Sequence, residues 1–281
     1  MVDLTVLIIT KDEENNIQKC IESLAGIAKR IVVVDSYSND RTCEIARSLG
    51  ADVYQHEFEN HAAQLNWGFC NTDIDTEWIL RMDADEELTP ELAEEIETKL
   101  DTLEAPVNGI ILRRRIYFMG RWIRHGGVYP TYLLRIFRRG KGHCEFITMD
   151  EHLVLEEGNT VVFSHDLIDK NTKPLEWWIS KHNWYSGKEC SDYISKKVQM
   201  NAGNVKKNLF GNSAERKRWL KYVAYYKTPL FIRAHWYFVY RYYFRFGFLD
   251  GKEGKIFHFL QAYWYRFLVD AKIYEKTAVE R

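Results

Sequence analysis

The 281-residue chain is poor in cysteine, proline and glycine, with five, five and sixteen of each. Cysteines 20, 43, 70, 144 and 190 lie too far apart for a Cys-x-x-Cys zinc or redox site. Their odd number fits free thiols in a reducing compartment better than a disulfide framework. The low glycine and proline content, with 46% apolar residues, excludes collagen-like and disordered chains. No run of about 18 uncharged apolar residues occurs, so no transmembrane helix is expected. The opening MVDLTVLIITKDEEN has no basic segment and meets acid at Asp3, so it reads as a first strand and not as a signal peptide. What remains is enough chain for one large domain, or a domain with an appendage, to bury its own core.

The net charge of −1 conceals a split. Residues 1–104 carry 24 Asp/Glu against 8 Lys/Arg, and residues 105–281 carry 16 against 31. The acidic half disfavours nucleic acid, and no nucleic-acid partner is expected. The basic half suits an anionic surface or ligand.

Short apolar runs at Leu4–Thr10, Arg30–Asp35, Asp52–Gln55 and Glu77–Met82 read as buried strands. Between and after them lie helical segments: Asn16–Ala28, Arg41–Leu49, His61–Phe69, and a fourth opened by Thr89, Pro90 and Glu91 as cap and first turn. Four strand–helix alternations in about 100 residues predict an α/β fold with a mostly parallel sheet flanked by helices. Ligands of such sheets bind beyond the carboxyl ends of the strands, which places Lys11, Asp35 and Asp83 on one rim. Further strands are expected at Gly109–Arg115, Leu133–Arg138 and Thr160–Ser164, then a long helix over Lys173–Lys197.

The segment Arg81-Met-Asp-Ala-Asp-Glu-Glu87 bears most directly on function. Two carboxylates two residues apart at a strand end can share a hard divalent cation, which also holds substrate phosphates. Asp35 on the same rim is a further ligand candidate. Alternatively, such acids simply favour the N-terminus of the following helix.

LTVLIITKDEENNI, IVVVDSYSNDRT and WILRMDADEELTPEL, in that order, resemble the nucleotide-sugar half of family 2 inverting glycosyltransferases of GT-A (Rossmann-like) fold. Within that family the chain most resembles bacterial enzymes that build lipopolysaccharide core, capsule or other surface glycans. The resemblance implies transfer of a sugar from a nucleotide-sugar, a UDP-sugar by expectation, to a lipid-linked or oligosaccharide acceptor, with Mn2+ or Mg2+. It implies that Thr10 and Glu13 line the nucleotide pocket and that Asp35 meets the uracil edge. Asp83 approaches ribose and metal, and Asp85 is the main metal ligand. Arg81 touches the diphosphate or pairs with Asp83 or Glu86. Asp12 departs from the family's usual Asn. The family places a carboxylate base 60–70 residues after the acidic pair, where Glu151 is the first choice and Asp150 the second. His125, Gly126, Gly127 and Arg135 resemble an acceptor-side loop, and His152 or His165 can complete the metal site. The implied layout is a catalytic domain over 1–170, divided at 104 into nucleotide and acceptor halves, and a helical extension over 171–281.

That extension is basic and aromatic. Residues 216–245 hold eight Lys/Arg and no acid, and residues 219–268 hold 20 of the chain's 41 aromatics. Pro229 is expected to divide it, and Gly247 and Gly251 to mark a turn before a last helix at about 255–275. Charge interrupts every apolar run, so the segment is expected to lie on a membrane surface, at the cytoplasmic face of the inner membrane. Packing on the catalytic core is the alternative. Two rival functions share features: a non-catalytic sugar-nucleotide sensor or scaffold, and a sugar-nucleotide pyrophosphorylase. The latter needs a glycine-rich phosphate loop where this chain has Lys11-Asp-Glu-Glu14.

Overall fold

A computed structural model describes residues 1–145, 152–200 and 228–279. They fall into two compact units, one of Met1–Arg124 with Val128–Lys173, the other of Pro174–Arg281 with His125–Gly127.

The first unit opens with β1 (Val2–Thr10), α1 (Ile17–Glu22), β2 (Ala28–Asp35), α2 (Thr42–Ser48), β3 (Asp52–Gln55), α3 (His61–Asn71) and β4 (Trp78–Asp83). These strands pair in parallel, in the order β3-β2-β1-β4. Alternation along β1 divides its side chains between two cores. Leu4, Val6 and Ile8 pack with Ile17, Cys20 and Ile21 of α1, whereas Leu7 and Ile9 pack with Ala62 and Leu65 of α3. Both faces of the parallel block are therefore covered, as its continuous apolar strands require.

The helix expected over Asn16–Ala28 stops at Glu22. Asn16 does not cap it, because its side chain is drawn away to Glu13 and Thr172. Tight turns then carry the chain through Gly26, which sits at φ +81°. The fourth helix, α4 (Pro90–Lys99), begins as anticipated, with the Thr89 hydroxyl accepting from Leu92 N at 3.2 Å.

Beyond β4 the sheet becomes mixed. It continues through β8 (Thr131–Arg138), β6 (Val107–Phe118), β11 (Asn159–Asp169) and β5 (Glu86–Leu88), with β7 (Arg121–Ile123) folded back on β6. β9 (Gly142–Cys144) and β10 (Leu153–Leu155) form a separate hairpin. Strands β5 and β7 are too short to carry a period in sequence. Pairing with β6 shifts register at three places, one of them at the start of β11 between Asn159 and Thr160. On β8, Ile110 faces Ile136 and Ile111 faces Leu134, which leaves Arg135 as the extra residue of a bulge. On β11, pairing with β6 lapses between Val162 and Asp166.

The second bulge frees backbone N–H groups, and α4 satisfies them. The Glu95 carboxylate accepts from Ser164 N and His165 N at 2.9 and 3.0 Å. It also meets His165 Nδ1 at 2.9 Å and Lys99 Nζ at 2.8 Å.

In the second unit, α5 (Leu175–Met200) packs on the terminal helix Tyr265–Val279 through Cys190, Val269 and Ile273. A further helix, Ile232–Val239, continues into a π-helical turn at Tyr240–Phe244. Arg233 and Asp270 form a fully buried ion pair, with Phe231 N donating to the same carboxylate at 2.7 Å. No helix among the described residues is long and apolar enough to cross a membrane. None of the five cysteines, all of them among the described residues, forms a disulfide.

Glu95 gives the unit a specific acid sensitivity. Burial alone would raise its pKa, but its hydrogen bonds with Lys99, Ser164 and His165 prevail and hold it down at about 2. A depressed carboxylate stabilises the fold above the ordinary carboxylate range, and that stability is lost as pH falls through 4 toward 2. Glu95→Gln is expected to lose about 2 kcal/mol at pH 7 and to flatten the acid limb of a urea-melt pH series.

Candidate active site

The loops after β1 and β2 are stitched together at the sheet's rim. Ser36 N donates to the Thr10 carbonyl at 2.9 Å. Lys11 Nζ donates to the carbonyls of Ser36 and Tyr37. Asp12 adopts φ +52°, a conformation that Asp tolerates better than most residues. Its N–H donates to Ser38 Oγ at 2.8 Å, and its carboxylate accepts from Asn39 N at 2.7 Å. Asp35 is fully buried and accepts from both the N–H and the hydroxyl of Ser38. The nearby Cys43 thiol is pushed up to about 11 by burial and by the Asp35 carboxylate. Thr10 Oγ1, also buried, has no hydrogen-bond partner among the described residues.

The acidic cluster follows directly from β4. Arg81 pairs with Asp83 at 2.7 Å. Asp83 N donates to Glu86 Oε2 at 2.9 Å, and Glu86 Oε1 pairs with Arg135, the bulge residue of β8. Both Glu86 and Arg135 are about 1% exposed. Burial, followed by the Asp83 charge, pushes the Glu86 carboxyl well above the usual carboxylate range. Asp85 is held from the far end of the unit. Its carboxylate accepts from Asn171 Nδ2 at 2.8 Å, and its carbonyl accepts from Lys170 N at 2.9 Å.

The same short segment reaches the β1 loop. Thr172 donates to Asn16, and Lys173 Nζ pairs with Glu13 at 2.5 Å. Burial raises the Glu13 pKa against the lowering effect of Lys173 and Asn16. Glu13, expected to line a nucleotide pocket, is thus occupied in tying residues 170–173 to the rim. Asn171, Lys173 and Glu86 belong to the site but carry no local sequence signal. Their partners lie far along the chain or, for Glu86, in a bulge that no pattern announces.

Strand register separates the expected ligands. Thr10 faces Asp35 and Ile9 faces Asp83, so Asp35 and Asp83 extend from opposite faces of the sheet at neighbouring strand ends. Among the described residues no group of three or more His, Cys, Asp or Glu is placed to hold a metal. Among the described residues Asp35 is thus not grouped with Asp83 and Asp85. The two cluster carboxylates still fit a hard cation. Asp83 Oδ2 has only Arg135 near it, at 3.7 Å, and Asp85 Oδ1 accepts no hydrogen bond from a described residue. Magnesium or manganese needs only one or two such carboxylates when phosphate oxygens complete its shell.

Several expected residues lie elsewhere. His165 is engaged by Glu95, and His152 is exposed beside β10, so neither completes a metal cluster. Arg135 is buried under the acidic cluster instead of lining an acceptor loop, because the bulge turns it inward. His125 and the glycines after it belong to the second unit. There His125 Nδ1 meets Asp250 at 2.7 Å, and Gly126 leaves no room for a Cβ against the His258 ring. Glu151 and Asp150 lie outside the described residues.

Comparison with known proteins places the chain in a family. An uncharacterised glycosyltransferase of Rickettsia bellii is 29% identical over 206 residues, which are 68% of this chain and 67% of that protein. Alignments with four further Rickettsia glycosyltransferases span about a third of each. The lipopolysaccharide core biosynthesis glycosyltransferase LpsC of Rhizobium meliloti is 28% identical over 99% of this chain and 94% of its own length. Among solved structures, residues 1–349 of TarS from S. aureus superpose with a TM-score of 0.44 at 13% identity, covering 100% of this chain and 92% of that one. The profile of glycosyl transferase family 2 matches residues 5–155, more than half the chain, including Thr10, Asp35, Asp83 and Asp85, and the chain belongs to that family.

Proposed function

We propose that the protein is an inverting glycosyltransferase that moves a sugar from a UDP-sugar to a lipid-linked or oligosaccharide acceptor of a bacterial surface glycan, with Mn2+ or Mg2+ as cofactor. The observation that carries this reading is the pair Asp83 and Asp85 at the end of β4, each anchored through one oxygen, by Arg81 and Asn171, with the other left without a hydrogen bond. The full-length similarity to LpsC favours an acceptor in a lipopolysaccharide core.

The chain's own groups divide the work. Asp83 and Asp85 would hold a divalent cation, which when bound would supply positive charge against the departing nucleoside diphosphate. The unpartnered Thr10 hydroxyl and the buried Asp35 carboxylate offer hydrogen bonds to the nucleoside. The acceptor hydroxyl attacks the anomeric carbon from the face opposite the diphosphate. Its oxygen–carbon bond forms as the bond to the diphosphate oxygen breaks, and its proton passes to a carboxylate base, Glu151 in the first instance and Asp150 otherwise.

The second unit supplies a means of reaching a lipid-linked acceptor. Ile232, Trp236, Tyr240 and Tyr243 recur at helical spacing and are all exposed, as is Phe244 beside them. Phe246, Phe248 and Leu249 extend the apolar surface, and Arg245 and Lys252 are exposed near it. Aromatic residues beside basic ones suit the headgroup layer of an anionic bilayer, here the cytoplasmic face of the inner membrane.

Asp85→Ala is expected to lower manganese-dependent transfer from a UDP-sugar more than about 100-fold and to remove the manganese dependence of UDP binding by calorimetry. Unchanged metal dependence would end the assignment. Glu151→Gln should cut turnover by about 100-fold or more while UDP still binds. If the wild-type protein binds UDP but never turns over, it is a sensor and not an enzyme. Phe244→Ser should weaken flotation with phosphatidylglycerol-rich vesicles about tenfold, with no change in UDP affinity.

A further inference from the structure

Five arginines fall within twelve residues of the first unit, at 113, 114, 115, 121 and 124. Two of them share one carboxylate. Asp166 is 2% exposed, and its Oδ2 accepts from Arg115 Nε at 2.6 Å while Oδ1 lies 2.9 Å from Arg113 Nε. Tyr129 donates its hydroxyl to the same carboxylate at 3.0 Å. Arg115 is fixed by a hydrogen bond from its Nε edge, and Arg113 is held against the same carboxylate as an ion pair, its Nε making no hydrogen bond among the described residues. Their outer nitrogens donate to no described residue, and both side chains remain 30% exposed. Two cations against one buried anion leave a net positive charge in a partly dry setting.

An aromatic wall stands beside the pair. Trp122 has the guanidinium carbons of Arg115 and Arg124 each 4.6 Å from its ring centre, and Tyr129 meets it edge-on at 5.0 Å. Its indole nitrogen is buried without a hydrogen-bond partner.

Register places this group on the face of the sheet from which Asp83 extends. Asp83 alternates with Ile79, Ile79 faces Phe137 on β8, and Phe137 faces Gly109 on β6. Counting by twos along β6 from Gly109 leads to Arg113 and Arg115, and Asp166 of β11 faces Arg113. On this face Arg113, Arg115 and Ile168 stay partly exposed, whereas Leu112 and Leu167 on the other face are buried.

We infer that Arg113, Arg115 and Trp122 form a subsite for an oxyanion-bearing sugar, a phosphate or carboxylate carried by the acceptor. The inference rests on the glycosyl-transfer reading for the identity of its ligand. A planar guanidinium oriented by a carboxylate meets phosphate or carboxylate through two parallel hydrogen bonds, and Trp122 steadies the Arg115 guanidinium through its cation–π contact. An uncharged acceptor leaves both forks unmatched, so the pair selects for charge as well as binding it.

The test uses the full chain and three probes, glucose 6-phosphate, glucuronic acid and glucose, titrated by calorimetry or ligand-observed NMR, with UDP and manganese as a parallel titration. The expected result is that one or both anions bind about tenfold or more tightly than glucose. The phosphate and uronate arms identify which oxyanion is recognised. Arg113→Gln should abolish that preference, and Arg113→Lys should retain charge but recover only part of it. Arg115→Gln should act alike, and if it unfolds the chain the two Arg113 variants decide. Equal binding of all three probes, or a preference that survives Arg113→Gln, overturns the subsite. Failure of UDP to bind the wild type would instead overturn the donor reading and leave the anion result standing.

Discussion

An ion pair almost without water, Arg135 with Glu86, underlies the acidic rim. Burial favours the neutral Glu86 carboxyl and the adjacent Arg135 guanidinium favours the charged one, and the contact is tolerable only because both groups are held in place. The remaining Glu86 oxygen accepts from Asp83 N, and the Arg135 guanidinium also lies 3.7 Å from the Asp83 carboxylate. The pair therefore couples β8 to the turn between β4 and β5 and orients Asp83 from beneath. Losing Glu86 would leave the buried Arg135 guanidinium without its main partner beside Asp83. The β8 bulge that delivers Arg135 is part of the same arrangement.

A second set of constraints is imposed by the last residues of the first unit. Lys170, Asn171, Thr172 and Lys173 bind Asp85, Asn16 and Glu13 in turn. These contacts close a sequence separation of more than 80 residues and bring the end of β11 against the first strand's loop. The rim is thereby assembled from both ends of the unit. Its carboxylates are positioned by neighbours that are themselves hydrogen-bonded, the condition under which a site keeps its geometry.

Aromatic residues have two distinct fates in this chain. Trp78 and Phe137 are buried in the sheet. In the second unit Tyr265 is buried against α5, while Trp236, Tyr240, Tyr243 and Phe244 face solvent. A helical unit that kept these rings exposed for no purpose would invite aggregation, and a surface of this size calls for a partner. The Arg233–Asp270 pair anchors the start of the exposed helix to the terminal one, so the apolar stripe is displayed from a rigid base.

The parallel block and its rim were legible in the order of residues. Four apolar runs separated by amphipathic segments state their own periodicity, and Thr89-Pro90 announces a helix start through purely local chemistry. The family, and the acidic pair after the fourth strand, followed from contiguous motifs. Other features were not legible, because they depend on contacts between distant segments. Asp35 and Asp83 share a rim but extend from opposite faces, which only strand register reveals. The His165 ring, Arg135 and Glu13 each have a chemistry that suits a ligand site, yet each also meets a partner distant in sequence: Glu95, Glu86 and Lys173. The β8 and β11 bulges, and the pairing of Arg113 with Arg115 through Asp166, leave no mark on periodicity. Local propensity and pattern determine which elements form. Which polar group is left free to act is decided by the competition among buried partners, and that competition exists only once the chain has folded.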